Sequence, residues 1–220
     1  MLASTTTLPL FGFGFILGLK HALEGDHIVA VSTVVTENRG VMRTSLVGTF
    51  WGIGHTVSLL LVTVIVLAFE VTLSSKFSIF AESLVAGMLI ALGADLLRKV
   101  ATASTLNVPL HSVVKESASC ACKPFIIGVI HGFAGSAVLM LMVVATVPSM
   151  LHGFIYVVVF GLGTIGGMCA MSVLMGLPLA LGGRRVEMFG ENIKIVAGLL
   201  SIGFGIMLAW SISRSSGFLS

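Results

Sequence analysis

The sequence predicts an all-α integral membrane protein of six transmembrane helices, arranged as two inverted three-helix repeats, with the first helix broken near Gly25. Three observations carry that prediction. Hydrophobic residues make up 56% of the chain and charged residues 10%, and the mean hydropathy is +1.11, outside the range of a water-soluble domain. The apolar residues fall in runs suited to a hydrocarbon core about 30 Å thick. Short motifs of the first half recur, in order, in the second.

The first run, Leu8 to Val35, is longer than one straight crossing needs, and it contains the polar heptad HALEGDH from His21 to His27. A charge at the bilayer centre costs about 2.5–3.5 kcal/mol, so Lys20, Glu24 and Asp26 need partners or water. On a straight helix Lys20, Glu24 and His27 would share one stripe, with Asp26 nearly opposite. Either other spans surround this segment, or it unwinds near Gly25 so that His21, Asp26 and His27 converge, and the run is long enough to lose a turn.

The second run, Ser45 to Phe69, carries GIGH at Gly52 to His55, and the third, Ser83 to Leu97, ends at Asp95 and Arg98, spaced for a helix-end ion pair. The fourth, Phe125 to Val147, opens after CAC at Cys120 to Cys122 and contains HGFAGS from His131. Met168, Met171 and Met175 line the fifth, Gly153 to Leu181, at helical spacing, and with Met140 and Met142 they read as adaptable packing. The sixth runs from Ile193 to Ile212. One membrane domain, 1–220, accommodates everything: repeat one at 8–97, a cytoplasmic connection at 98–124, repeat two at 125–213.

Arg39, Arg43, Arg98, Lys99, Lys115, Lys123, Arg184, Arg185 and Lys194 lie in connections on one side, against Lys76 and Arg214 on the other. The positive-inside rule therefore puts both termini outside the cytoplasmic membrane. The basic residues act as topology signals, so no nucleic-acid partner is expected. The three cysteines give no disulfide framework. Cys120 and Cys122, beside His111, read as an ordinary reduced loop rather than a metal site. No basic stretch precedes the first run, so no cleaved signal peptide is expected.

GLKHALEGD at Gly18 aligns with GVIHGFAGS at Gly128, GIGH at Gly52 with GLGT at Gly161, and VAG at Val85 with VAG at Val196. Three spans per half invert the second half relative to the first, the plan of transporters whose site lies at the midplane. Counting 1.5 Å per residue from the nearest cytoplasmic charge puts His27, His55 and His131 about 15, 18 and 12 Å deep. Three imidazoles from separate spans thus share one level. Imidazole with carboxylate suits a late first-row divalent ion rather than magnesium or calcium. The plainer reading of His55 and His131 is packing, with each ring donating to a carbonyl in a Gly-lined helix contact.

His21, Asp26 and His27 match, position by position, the signature of the nickel/cobalt transporter (NiCoT) family: His, four residues, then Asp-His. With HIVAVSTVVTENRG, FWGIGHTVSLL and IHGFAGSAVLML, most of the chain resembles the short urease-accessory-type (UreH-like) permease branch of that family. The resemblance implies Ni²⁺ or Co²⁺ uptake, with His21, Asp26, His27, His55 and His131 as metal ligands. Lys20 and Glu24 would balance charge, and Ser136 and Thr164, paired with Asp26 and His55 by the repeat, would support from the second half. The chain has six spans where longer members have eight, and Ser32-Thr33 where they carry Asp-Asn.

The ion is cargo, so no resident cofactor and no enzymatic activity are expected. H-E-x-x-H and Walker motifs do not occur. Beyond the ion and the lipid bilayer, the expected partners are a cytoplasmic metallochaperone or a second copy of the chain. Two rival readings stand beside this one. One is an anion, sulfite or metal exporter whose histidines relay protons; the other is an electron-transfer protein whose His55 and His131 ligate a haem.

Overall fold

The computed structural model describes the backbone of residues 4–38, 40–69, 74–106, 121–134, 149–181 and 183–215, and the side chains of these except 4–8, 179 and 183–189. Among the described residues there are seven α-helices and no strand. They are α1 (Ser4–His21), α2 (Gly25–Thr36), α3 (Val41–Phe69), α4 (Ser75–Leu106), α5 (Cys122–Gly132), α6 (Met150–Leu181) and α7 (Gly183–Ser215).

Helix is the answer that lipid imposes, because hydrocarbon offers no hydrogen-bond partner and each backbone group must be satisfied within its own segment. Hydroxyl side chains obey the same rule. Thr33 donates to the Ala30 carbonyl at 2.6 Å, Thr56 to Gly52 at 2.7 Å and Ser58 to His55 at 2.8 Å, so each hides its polarity in its own helix. Among the described residues four helices are long and apolar enough to cross a membrane: α3, α4, α6 over Met150–Pro178 and α7 over Gly190–Ser215. The 29 residues of α3 extend about 44 Å at 1.5 Å each.

The first apolar run is two helices, as the length of the run and its polar heptad anticipate, with the break at residues 22–24. Elsewhere the helices outrun the hydropathy boundaries. α4 begins at Ser75 and ends at Leu106, well beyond the apolar Ser83 to Leu97, because its charged turns are held by ion pairs. Asp95 receives Arg98 at 3.1 Å and Lys99 at 2.7 Å. The predicted helix-end pair is therefore part of a larger network. Glu37, at the C-terminal end of α2, accepts from Lys99 of α4 at 2.7 Å and from Lys123 of α5 at 3.1 Å. An acidic residue is unfavourable at a helix C-terminus, and the two ammonium groups neutralise it.

α3 packs between α5 and α6, α1 lies along α6, and α4 lies along α7. α2 is enclosed: Ala30, Val31, Val34 and Val35 are buried with Val47, Trp51, Leu89 and Met168 in the main core. A second core joins Leu59 and Val62 of α3 to Tyr156, Val157 and Phe160 of α6. Phe11 and Leu17 of α1 cover it.

Backbones meet at glycine. A side chain at Gly18 would strike the Phe160 carbonyl and the Thr164 amide, and one at Gly128 would strike the Trp51 carbonyl and the His55 amide. These are corresponding contacts under the sequence alignment that pairs Gly18 with Gly128 and GIGH with GLGT. The same reciprocity links Gly54, against Phe125 and Val129, to Gly163, against Phe15 and Leu19. Small residues of this kind permit the close helix contacts that stabilise membrane bundles.

This packing makes Gly54→Ala and Gly128→Ala destabilising by about 1–3 kcal/mol each, the usual cost of overpacking. Gly87→Ala, where an added methyl meets nothing within 4 Å, should leave stability unchanged or slightly raised. Thermal unfolding in detergent checks this, and equal effects at the three positions would contradict it.

Candidate metal site

The site is assembled where the first run breaks. α1 closes with a tightened turn in which the Leu23 amide donates to the Lys20 carbonyl at 2.9 Å and the Glu24 amide to that of His21 at 3.0 Å. Glu24 is extended, with φ −67° and ψ 149°, and the chain re-enters helix at Gly25. The Phe204 ring of α7 lies 3.2 Å from where a Cβ on Gly25 would sit, so a larger residue there would have to push the ring aside. The break points the negative end of α1 and the positive end of α2 at one place. His21 sits on the first end and Asp26 in the first turn of the second, where a carboxylate has the favourable sign.

His55 arrives from α3 and His131 from the end of α5, brought in by the Gly54–Gly128 crossing. The four imidazoles form one cluster around His27. Its ring centroid lies 4.5 Å from that of His21, 5.4 Å from His55 and 4.1 Å from His131. All four are buried, His27 and His55 almost completely. Phe160 flanks the cluster 5.6 Å from His21, and Trp51 lies 5.9 Å from His131. Neither wall residue stood out in the sequence; their positions just before GLGT and GIGH were the available signal.

Hydrogen bonds hold the rings in place. Asp26 bridges two of them: Oδ1 accepts from His27 Nδ1 at 3.0 Å and from the His27 amide at 2.9 Å, while Oδ2 accepts from His131 Nε2 at 3.0 Å. Glu24 takes His21 Nδ1 at 3.0 Å. His21 Nε2 and His55 Nε2 lie 3.2 Å apart. An ionised carboxylate only accepts, so Asp26 assigns the protons to His27 Nδ1 and His131 Nε2 and leaves lone pairs on their other nitrogens. Those nitrogens, His27 Nε2 and His131 Nδ1, are buried without a hydrogen-bond partner, as is His55 Nδ1. Buried polar atoms are rarely left so. Neither His55 nor His131 donates to a backbone carbonyl, so the packing explanation does not describe these two rings.

Among the described residues two groups have donor atoms close enough to hold an ion: His21, His27 and His55, and Asp26, His27 and His131. Carboxylates hydrogen-bonded to imidazoles are the usual second shell of metal-binding histidines, orienting the ring and raising its basicity. Glu24 takes that part toward His21. The other residues named from sequence fall differently. Lys20 is exposed. Thr164 is fully buried, and its hydroxyl donates to Phe160 at 3.1 Å and faces the Gly18 carbonyl at 3.4 Å, so it serves the helix crossing instead of the donor cluster. Ser136, His111, Cys120, Met140 and Met142 lie outside the described residues, while Cys122 is exposed. Met168 is fully buried in the core, with Met175 packed against it.

No protein-family model matches the chain, and no solved structure matches it. It is 35% identical over 216 residues to urease accessory protein UreH of Bacillus sp. (strain TB-90), an alignment covering 96% of this chain and 94% of that protein. Two Arabidopsis thaliana proteins, chloroplast proteins FOR GROWTH AND FERTILITY 1 and 2, are 24% and 26% identical to it. The alignments cover 88% and 99% of this chain but only 56% and 60% of theirs. Near-complete coverage on both sides at this identity is decisive for the first relative: the chain belongs to the UreH family of urease accessory proteins.

Proposed function

We propose that this protein is a permease for a divalent transition-metal ion, with Ni²⁺ as principal cargo and Co²⁺ as a second, and not an enzyme. The observation that carries the reading is the buried gathering of four imidazoles and one carboxylate from α1, α2, α3 and α5, with three ring nitrogens lacking any partner. An accessory role toward urease, the description carried by the UreH relative, is consistent with nickel handling. The HALEGDH match to the NiCoT signature agrees with it.

The scaffold in this reading is an inverted repeat of six crossings in the cytoplasmic membrane, with both termini outside. The reciprocal glycine contacts between the halves support a two-fold relation of that kind. His21, Asp26, His27, His55 and His131 bind the ion, Glu24 orients His21, and the halves rock to expose the cluster to one side and then the other. A 100 mV potential, negative inside, supplies roughly 4.6 kcal/mol to an entering dication, so uptake needs no nucleotide hydrolysis. An anion would meet the carboxylates of Asp26 and Glu24, which disfavours the anion-export reading. The His55 and His131 rings both lie against His27, a third imidazole with no place in a site where two histidines ligate a haem, which disfavours the haem reading.

Whole-cell accumulation of ⁶³Ni tests the proposal. His27→Ala and Asp26→Asn should bring uptake to the level of cells lacking the protein, while Lys20→Gln should retain most of it. Undiminished uptake by His27→Ala would refute the mechanism. Metal needs imidazole lone pairs for which protons compete, so uptake should fall as external pH is lowered into the range where these buried rings take up protons. A flat profile measured at constant membrane potential would contradict ligation by histidine.

A further inference from the structure

Resting on the metal-permease reading, we propose that the donor cluster is two overlapping metal positions that share His27, filled in turn by one ion. A late first-row dication binds nitrogen at about 2.0–2.1 Å, so its ligands must stand within a few ångströms of one another. The five donors do not form one such group. They divide into His21, His27 and His55 on one side and Asp26, His27 and His131 on the other, each group having its donor atoms within 4.8 Å of one another. The His55 and His131 rings are 6.3 Å apart. His27 is common to both groups and has two ring nitrogens to offer: Nδ1 engages Asp26, and Nε2 has no partner.

The two positions differ chemically. The Asp26 group contains a carboxylate with 27% of its side chain exposed, suited to capturing a hydrated cation by charge. The His21 group is all imidazole, with exposures of 7%, 1% and 0%, suited to an ion that has shed its water. Passing from one to the other exchanges Asp26 and His131 for His21 and His55 around the shared His27 ring, so the ion moves between adjacent donor sets. Two dications sharing one imidazole would repel strongly, and occupation in turn follows.

The test is Ni²⁺ and Co²⁺ titration of the purified full-length protein, with cobalt visible absorption and nickel X-ray absorption reading the shell. His55→Ala, His131→Ala and His27→Ala are compared, with His→Gln versions wherever an Ala version is not monodisperse. Wild type should bind one ion. Removing His55 or His131 should weaken binding by about 10–100-fold and leave different shells: mixed oxygen and nitrogen ligands without His55, protein ligands that are nitrogen only without His131. His27→Ala, which takes a donor from both groups, should lose more than either. If His55→Ala and His131→Ala each abolish binding as fully as His27→Ala, or leave identical shells, the five donors form one site and the inference fails. If wild type itself binds neither metal, the permease reading fails with it.

Discussion

The Asp26 carboxylate is the interaction on which the site depends. It lies in the first turn of α2, a helix terminus that welcomes negative charge, and each of its oxygens holds an imidazole from a different helix. Without the break at 22–24 Asp26 would point away from His21 on a continuous helix. Without the glycine crossing of α3 and α5, His131 would stand too far off to reach it. Local chain geometry and helix packing are thus both specified by where one charged group must end up.

Lipid makes the arrangement consequential. Each exposed polar group would cost free energy there, and the structure answers by returning hydroxyls to their own helices, neutralising Glu37 with Lys99 and Lys123, and enclosing α2 on several sides. Among the described residues six buried side-chain polar atoms lack a partner: three ring nitrogens of the donor cluster, together with Trp51 Nε1, Tyr156 Oη and Ser172 Oγ. His21, Asp26 and His27 are also the residues that carry the HALEGDH resemblance, which is why the unsatisfied nitrogens are read as ligands.

Much of this was legible in the sequence, for reasons that can be named. The break could be read because HALEGDH cannot lie on a straight lipid-facing helix, and the clustering of His27, His55 and His131 because equal depth follows from counting residues. The extent of α4 could not, since hydropathy stops at Asp95 whereas the helix continues on ion pairs. The bond of Glu37 to Lys99 and Lys123 joins residues far apart in the chain, with no local signal to pair them. Thr164, paired with His55 by the repeat alignment, stands apart from the donor cluster: a hydroxyl beside a glycine crossing is drawn to the nearest carbonyl. Motif alignment gives correspondence of position; it does not give correspondence of chemistry.

The central claim is that these imidazoles bind a transition-metal ion through ring nitrogens that keep free lone pairs. Isothermal titration of the wild-type protein with Ni²⁺, set beside the same titration with Mg²⁺, measures this directly. The account predicts saturable binding of Ni²⁺ and none of Mg²⁺, which prefers an all-oxygen shell. Absence of Ni²⁺ binding, or equal binding of the two ions, would contradict it.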